Sequence, residues 1–223
     1  MSLVGHLLAS TVRPIRQYRD KRSRDFVLRR FAKNSVGAEI GVWKGGFSEQ
    51  ILSVVKPKRL HLIDPWAYQN GEEFSHALYG GVQGEDQRRM DGVYRSVVDR
   101  FGWFITHEVV EINRGKSSEV LAQFPDGYFD WVYVDGDHRY EAVLLDLELA
   151  HRKLKPNGIV AGDDYTNVNA WWKDGVPKAV DEVIRRGLYE PIEIRKNQFV
   201  LHKSFPDLML IAPGVTSQTA AQS

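Results

Sequence analysis

The stretch WVYVDGDHRYE, Trp131 to Glu141, combines a run of large apolar residues with an abrupt polar end. The apolar run is typical of a buried strand, and two aspartates and a histidine follow it directly. A carboxylate at the edge of a core is costly unless it is paired or bound to a cation. The stretch therefore predicts a central strand whose carboxyl end carries a charged site.

Further strand patterns lie on both sides of this stretch. Short β-rich runs alternate with helical segments, which is the pattern of βαβ units in a parallel sheet covered on both faces. Two late runs flank Lys196-Asn197 closely enough to form an antiparallel hairpin. We expect a doubly wound, Rossmann-like α/β fold with a seven-stranded, mostly parallel sheet and an antiparallel C-terminal hairpin. The predicted strands are 37–42, 59–64, 107–112, 129–135, 158–163, 191–194 and 198–202, and the predicted helices include 48–55, 85–100, 141–154 and 177–186.

The chain divides into three predicted regions. Residues 1–36 form an N-terminal helical segment, and residues 37–211 form the main domain. Within that domain, residues 66–103 are too long for a simple strand-to-helix connection, so we interpret them as an insertion that covers a site. Its aromatic residues either stack on a ligand or close a core. Residues 212–223 are small and polar, and we expect them to be disordered.

The composition is that of an ordinary soluble globular protein, with 43% hydrophobic and 26% charged residues. We expect no stable membrane insertion, because no apolar run could span a bilayer. The chain has no cysteine and no basic leader, which favours the cytoplasm. A net charge of +1 gives no argument for nucleic acid. Nine Lys or Arg residues between Arg13 and Lys33 favour a solvated helix face, with an anionic acceptor or membrane surface as the alternative.

A glycine-rich turn follows the first predicted strand, in EIGVWKGGFSEQ from Glu39 to Gln50. Glycine allows a ligand to approach the backbone closely, although a tight strand-to-helix connection also uses glycine. The spacing after Gly41 is not the G-x-G-x-x-G of a dinucleotide site. Asp64 ends the second strand 23 residues later, where an acid can accept hydrogen bonds from ribose hydroxyls. This combination favours an adenosyl group.

Two acidic clusters end neighbouring strands. One contains Asp135, Asp137 and His138, and the other contains Asp163 and Asp164. In an open parallel sheet these strand ends meet at the edge where ligands bind, and clustered carboxylates there would repel one another without a cation. Oxygen ligands without cysteine favour Mg²⁺, with Mn²⁺ as the alternative, over zinc. Helix capping and turn formation are the competing structural explanation for single aspartates.

These motifs carry a family resemblance over roughly residues 37–165. EIGVWKGG followed by LIDPW resembles the opening of class I S-adenosylmethionine-dependent methyltransferases, and the run from YVDGDHRYE to GIVAGDDY resembles their later strands. The resemblance implies S-adenosylmethionine as the cofactor. It further implies contacts with the cofactor by five residues: Glu39 and Gly41 near the methionine, Asp64 at the ribose, Ser117 near the adenine, and Asp135.

Within that superfamily the chain is most similar to the metal-dependent sugar O-methyltransferases of macrolide and aminocoumarin biosynthesis. This resemblance implies Asp135, Asp163 and Asp164 as metal ligands. It implies His138 as the catalytic base, because that residue follows the first ligand by three positions. Asp137 is the rival base, or it orients the loop or hydrogen-bonds to His138.

The expected function is Mg²⁺-dependent methyl transfer from S-adenosylmethionine to a hydroxyl of a small polyhydroxylated acceptor, a sugar or saccharide. The alternatives are a catechol-type O-methyltransferase, a nicotinamide-dependent oxidoreductase on a similar sheet, and a non-catalytic adenosyl-binding module. The N-terminal helix and the C-terminal hairpin offer surfaces for a homodimer.

Overall fold

A seven-stranded sheet with helices on both faces forms the centre of the protein. The computed structural model describes residues 24–71, 74, 77–80, 86–166 and 174–204. The strands are β1 (Val36–Ile40), β2 (Arg59–Asp64), β3 (Val110–Arg114), β4 (Phe129–Val134), β5 (Leu154–Gly162), β6 (Tyr189–Arg195) and β7 (Gln198–Lys203). The helices between them are α1 (Gly46–Val54), α2 (Gln87–Thr106), α3 (Ser117–Gln123), α4 (Tyr140–Lys153) and α5 (Gly175–Arg185).

The strand order is β3-β2-β1-β4-β5-β7-β6. The first five strands pair in parallel, and β7 pairs antiparallel with both β5 and β6. This topology confirms the predicted doubly wound fold with its C-terminal hairpin. The order reverses between β1 and β4, so the loops that follow these two strands open a crevice at the carboxyl edge.

Several predicted strand boundaries were wrong, including the start of β5 at Leu154 in place of residue 158, and two of these errors have a local backbone reason. The third strand was expected from His107, but α2 continues to Thr106 and the chain then turns through Glu108, whose φ is 57°. Strand β3 therefore begins only at Val110. The first strand was expected to reach Val42, but it ends at Ile40 because Gly41 takes a φ of 86° and leaves the extended conformation.

The sheet separates two apolar layers. One layer packs α1 and α2 against the sheet, and the other packs α3, α4 and α5 against the opposite face. Side chains alternate along each strand, so Leu60 and Leu62 enter the first layer while Ile63 enters the second. Burial on both faces of the sheet explains why a central strand such as β4 has a nearly continuous apolar sequence.

Residues that precede β1 belong to the same core. Residues 24–28 are helical, and Phe31 stacks on Trp131 with ring centroids 4.3 Å apart and planes at 8°. The Trp131 indole also lies over Gly37, where a Cβ atom would come within 2.1 Å of the ring. Of the predicted N-terminal helical segment 1–36, the structure describes residues 24–36, in which only 24–28 are helical and β1 already begins at Val36. Residues 1–23 and the predicted tail at 212–223 lie outside the described residues.

The predicted insertion contains most of α2. This helix has 20 residues, and the carboxylate of Asp86 accepts a hydrogen bond from the backbone N–H of Arg88 at 2.9 Å at its start. Upstream, Gln69 and Gly80 form an isolated parallel bridge outside the main sheet. Among the described residues, no helix combines the length and apolarity needed to cross a membrane.

A buried histidine lies in β2. His61 packs edge-on against the rings of Phe124, Tyr128 and Phe129, and its Nε2 lies 3.2 Å from the Tyr128 hydroxyl. Burial lowers the pKa of His61 to about 4, although Glu111 acts in the opposite direction. The imidazole is therefore neutral in the folded protein near pH 7.

We expect His61 to make the folded protein less stable as the pH is lowered. The unfolded state takes up the histidine proton near pH 6.5 and the folded state only near pH 4, so the unfolded state binds more protons between these values. Acidification from pH 6.5 to 4 should cost up to about 3 kcal/mol of unfolding free energy through this group. Urea denaturation at pH 5 and pH 7.5 should show a smaller difference for His61→Phe than for the parent. Replacement of exposed His107 by Gln is the control, and equal pH dependence in all three proteins would contradict the assignment.

Candidate active site

The turn after β1 and the loop after β4 touch each other. The N–H of Gly41 donates to the carbonyl of Ile63 at 2.9 Å, and a Cβ atom on Gly41 would lie 2.0 Å from the carbonyl oxygen of Asp135. Only glycine fits this approach together with a φ of 86°. The glycine turn and the first acidic cluster, which the sequence placed 94 residues apart, therefore form one site.

Asp64 holds the glycine turn in place. Its Oδ2 accepts hydrogen bonds from the backbone N–H groups of Val42 and Trp43, both at 2.9 Å, and from the Tyr79 hydroxyl. Its Oδ1 accepts from the N–H of Trp66 at 2.7 Å. Burial raises the pKa of Asp64, and these hydrogen bonds act against that rise. The carboxylate is thus a buried anchor with four donors.

Two tryptophans near Asp64 adopt left-handed backbone conformations. Trp43 has a φ of 52° and Trp66 a φ of 39°, which is costly for bulky residues. Both N–H groups point at the carboxylate of Asp64, so charge-assisted hydrogen bonds offset the strain. The Trp66 indole N–H also donates to the Trp43 carbonyl at 2.9 Å. The turn is therefore rigid before any ligand binds.

Glu39 lies beneath the turn and is almost fully buried. Burial raises the pKa of Glu39 to about 8, although the Ser48 hydroxyl, which donates to its Oε2 at 2.6 Å, and the charge of Arg24 both lower it. At neutral pH the carboxyl group is mostly protonated. It can then offer an O–H donor as well as an acceptor to a ligand in the crevice.

Three side chains from the ends of β4 and β5 converge. The Nε2 of His138 lies 3.3 Å from Asp135 Oδ1 and 3.2 Å from Asp164 Oδ2. One ligating atom from each residue lies within 4.8 Å of the others. Two carboxylates and an imidazole are a donor set that suits a divalent metal. The predicted ligands Asp135 and Asp164 are thus brought together, with His138 between them.

The third predicted metal ligand, Asp163, faces a guanidinium group instead. Arg24 donates from Nε to Asp163 Oδ2 at 3.1 Å and from Nη2 to the same oxygen, and Nη2 also contacts Asp135 Oδ2 at 2.7 Å. The other oxygen, Asp163 Oδ1, accepts from the backbone N–H of Asp164 at 2.8 Å. Both oxygens of Asp163 are therefore engaged by the protein.

The pKa values in this cluster diverge. Burial acts to raise the pKa of Asp135, but the charge of Arg24 and the hydrogen bond with His138 outweigh it and hold that pKa below its usual range. Burial and the neighbouring Asp135 raise the pKa of Asp163 to about 6. Burial lowers the pKa of His138, but the surrounding carboxylates reverse that effect and raise it. Asp135 is the most firmly ionised member of the cluster.

Asp137, the rival base, has a different environment. Its carboxylate accepts from the backbone N–H of Arg139 at 3.0 Å and from the guanidinium Nε of the same residue at 3.1 Å. The group is partly exposed in the loop after β4 and pairs with Arg139, whereas His138 contacts Asp135 and Asp164. His138 is therefore the candidate base that the described structure joins to the predicted ligands.

Ser117 is the first residue of α3, directly after the loop that follows β3. The family resemblance places a residue near the adenine at this point of the chain. Asp146 of α4 is only 3% exposed. Burial raises the pKa of Asp146 to about 7, and the nearby Ser117 side chain opposes that rise. Nothing in the sequence indicates this neighbour, because Asp146 has the pattern of an ordinary polar position on a helix.

In the predicted insertion, residues 66–103, the Tyr79 hydroxyl donates to Asp64 and the Trp66 side chain is buried in the core. Trp103 lies at the end of α2 and is 63% exposed. Trp66 therefore closes a core, and stacking of the insertion's aromatic residues on a ligand stays a prediction. Sequence reasoning missed Arg24, Tyr79 and Asp146. The one available signal was the excess of acidic groups at the strand ends, which requires a cation but does not identify it.

Comparison with known proteins extends this picture. The family model described as "Methyltransferase domain" matches residues 38–165, more than half of the chain. A curated relative, the uncharacterized protein R132 of Acanthamoeba polyphaga mimivirus, is 26% identical over 158 residues, or 69% of this chain. The match spans 62% of that relative's length.

Solved structures of methyltransferases share the fold. The O-methyltransferase TomG of Streptomyces achromogenes, involved in tomaymycin synthesis and solved with S-adenosylmethionine, has a TM-score of 0.53 and 16% identity, covering 76% of this chain and 73% of its own. The N-methyltransferase NodS of Bradyrhizobium japonicum has a TM-score of 0.54 and 15% identity, covering 83% and 97%.

We expect Asp64→Asn to destabilise the glycine turn. The new amide would present a donor to backbone N–H groups that now find an acceptor, so buried donors lose their partner at a cost of about 3 kcal/mol. Tyr79→Phe, the matched control, removes one of the four donors and should cost about 1 kcal/mol. Urea denaturation followed by tryptophan fluorescence measures both. If Asp64→Asn unfolds at the same urea concentration as the parent, Asp64 does not anchor the turn.

Proposed function

The chain belongs to the methyltransferase-domain family, and we propose that it transfers a methyl group from S-adenosylmethionine to a hydroxyl of a small polyhydroxylated acceptor, a sugar or saccharide, with a divalent cation. The observation that carries this proposal is the convergence of Asp135, His138 and Asp164 beside the glycine turn. A cation site next to a cofactor crevice suits oxygen acceptors, because neighbouring sugar hydroxyls can chelate a hard ion.

The cofactor would lie along the carboxyl edge of β1 and β2. Backbone at Gly41 allows close approach, and Glu39 offers its carboxyl group to the methionine part. Asp64 would accept a hydrogen bond from a ribose hydroxyl, which can take the place of the Tyr79 hydroxyl on Oδ2. Ser117 stands at the start of α3, near the position proposed for the adenine. These assignments place the cofactor against β1 and the turn after it, the end of β2 and the start of α3.

We propose that Asp135, Asp163 and Asp164 would hold the metal, with His138 beside it as the base and not as a ligand. Arg24 would first have to leave Asp163 Oδ2. Mg²⁺ or Mn²⁺ suits the carboxylate oxygen atoms. A bound divalent cation lowers the pKa of a hydroxyl that coordinates it and orients that hydroxyl. The protein's own part is to hold the acceptor in line with the methyl group, and alignment of this kind accounts for much of the acceleration in such reactions. The rigid turn around Asp64 suits this purpose.

The acceptor hydroxyl must lose a proton as the methyl group moves. His138 is the proposed base, since its Nε2 faces the cluster at 3.3 Å from Asp135 Oδ1 and 3.2 Å from Asp164 Oδ2. Only neutral imidazole can take the proton, and a cation bound at the carboxylates would favour that form, because it offsets the negative charge that raises the pKa of His138. The side chain is partly exposed, so the imidazole can pass the proton to water. Asp137 remains the rival, and its pairing with Arg139 weighs against it.

A turnover assay tests the proposed reaction. Radiolabel from the methyl group of S-adenosylmethionine should appear in a methyl ether when the protein is incubated with a panel of saccharides. Exhaustive chelation should abolish transfer and Mg²⁺ should restore it, while calorimetry shows that cofactor binding largely survives. Catechol acceptors form a parallel arm of the panel. Binding of NADH in place of S-adenosylmethionine, or full transfer after chelation with no metal by elemental analysis, would refute the corresponding part of the proposal.

Loss of the base should damage chemistry more than binding. Removal of a general base typically costs about 10² to 10⁴ in rate, so His138→Ala should lower kcat within that range while KM for the cofactor changes little. Asp137→Asn is the matched comparison in the same loop and should retain most of kcat. Single-turnover measurements isolate the chemical step. Inactive Asp137→Asn beside near-parental His138→Ala would assign the proton to Asp137.

A further inference from the structure

An arginine side chain lies inside the acidic cluster that the metal would occupy. Arg24 lies in the helical residues 24–28, and its guanidinium group reaches Asp135 Oδ2 at 2.7 Å and Asp163 Oδ2 at 3.1 Å. It also lies over the rings of Phe47 and Tyr133, at 4.8 and 5.6 Å from their centroids. The side chain is 20% exposed, so it is enclosed by the site and not a solvated surface charge.

The position of Arg24 answers an electrostatic requirement. Asp135, Asp163 and Asp164 lie together with little solvent, and carboxylates in such surroundings need a positive charge nearby. A guanidinium group is permanently charged and its forked donors match two carboxylates at once. Arg24 therefore supplies what a divalent cation would otherwise supply.

Arg24 contacts Asp163 Oδ2 and Asp135 Oδ2, two oxygen atoms of the carboxylates proposed to hold the metal. Asp163 Oδ2 accepts from Arg24, and Asp163 Oδ1 accepts from the N–H of Asp164. Asp163 thus cannot bind an ion with Oδ2 unless the guanidinium group leaves. An ion that bound Asp135 and Asp163 would in addition bring two positive charges next to the guanidinium group, which is unfavourable at this degree of burial.

We propose that Arg24 is an intramolecular competitor of the divalent cation: its guanidinium group occupies the carboxylate oxygens that the ion needs, and ion binding releases it. This inference rests on the proposed metal-dependent function. Release has a local consequence, because Arg24 begins the described helical stretch. Phe31 remains stacked on Trp131, so we expect the loosening to be confined to the residues before it.

Metal affinity tests the competition, with Mn²⁺ as the probe and the full chain as the sample. Electron paramagnetic resonance of free Mn²⁺ gives the dissociation constants of the parent, Arg24→Gln and Arg30→Gln. Arg24→Gln should bind Mn²⁺ about ten- to one-hundredfold more tightly, because the ion no longer breaks charge-assisted hydrogen bonds. Arg30 lies on the same segment as Arg24 but pairs with Glu193 of β6 at 2.9 Å. Arg30→Gln should therefore match the parent.

Hydrogen exchange of the parent protein supplies an independent readout. The N–H groups of Arg29 and Arg30 donate to the carbonyls of Asp25 and Val27 at 3.3 and 2.9 Å. Saturating Mn²⁺ should speed exchange at these amides by about tenfold if the anchor at Arg24 is lost. The amide of Val132 in β4 should keep its rate and serves as the internal reference.

Several outcomes would overturn the inference. Equal Mn²⁺ affinity in parent and Arg24→Gln would mean that the ion and the guanidinium group bind side by side, with the ion at Asp135, His138 and Asp164. Weaker binding by Arg24→Gln would mean that Arg24 prepares the site. If Arg24→Gln binds Mn²⁺ more tightly but Mn²⁺ does not speed exchange in the parent, the ion does not release Arg24. The higher affinity would then come only from removal of a positive charge near the ion. Absence of Mn²⁺ binding in both proteins would overturn it together with metal dependence, whereas loss of methyl transfer with normal Mn²⁺ binding would fault the proposed reaction alone.

Discussion

The close approach of the Gly41 backbone to the carbonyl of Asp135 is the constraint on which the site depends. A Cβ atom at Gly41 would lie 2.0 Å from that oxygen, so no other residue fits without moving one strand end away from the other. This contact sits where the strand order reverses, between β1 and β4. It places the glycine turn directly against the acidic cluster.

The two sides of that contact are held in different ways. Hydrogen bonds to Asp64 fix the glycine turn, and positively charged side chains neutralise the acidic cluster. Four donors hold Asp64, and strained conformations at Trp43 and Trp66 persist because those donors include their own N–H groups. Among the described residues, Asp135 has no such backbone donor to its carboxylate. Arg24 and His138 hold that carboxylate, and both contacts come from side chains. A fixed glycine turn thus lies beside an acidic cluster that is held by side chains alone.

The buried ionisable groups illustrate how position decides chemistry. Glu39 and Asp163 are both acids near the carboxyl edge, and burial raises the pKa of each, to about 8 and about 6. Asp135 lies between them with the opposite shift, because Arg24 lies against its oxygen. Neighbouring groups whose pKa values are pushed apart are frequent at functional sites. The residue type alone does not indicate a functional site, because the pKa shift depends on burial and on the neighbouring charges.

Much of this protein follows from its sequence alone. Strand and helix patterns predicted the sheet, because apolar periodicity is local and parallel strands need helical crossovers. The acidic residues after β4 and β5 predicted a charged site at one edge, since the carboxyl ends of parallel strands meet. Boundaries failed where a single backbone angle decided them, as at Glu108 and Gly41. What the tertiary structure alone decided is which charges pair: Arg24 lies 139 residues from Asp163, and no local pattern distinguishes it from its basic neighbours. A salt bridge of that range depends on where the completed fold places two side chains, and neither sequence neighbourhood encodes it.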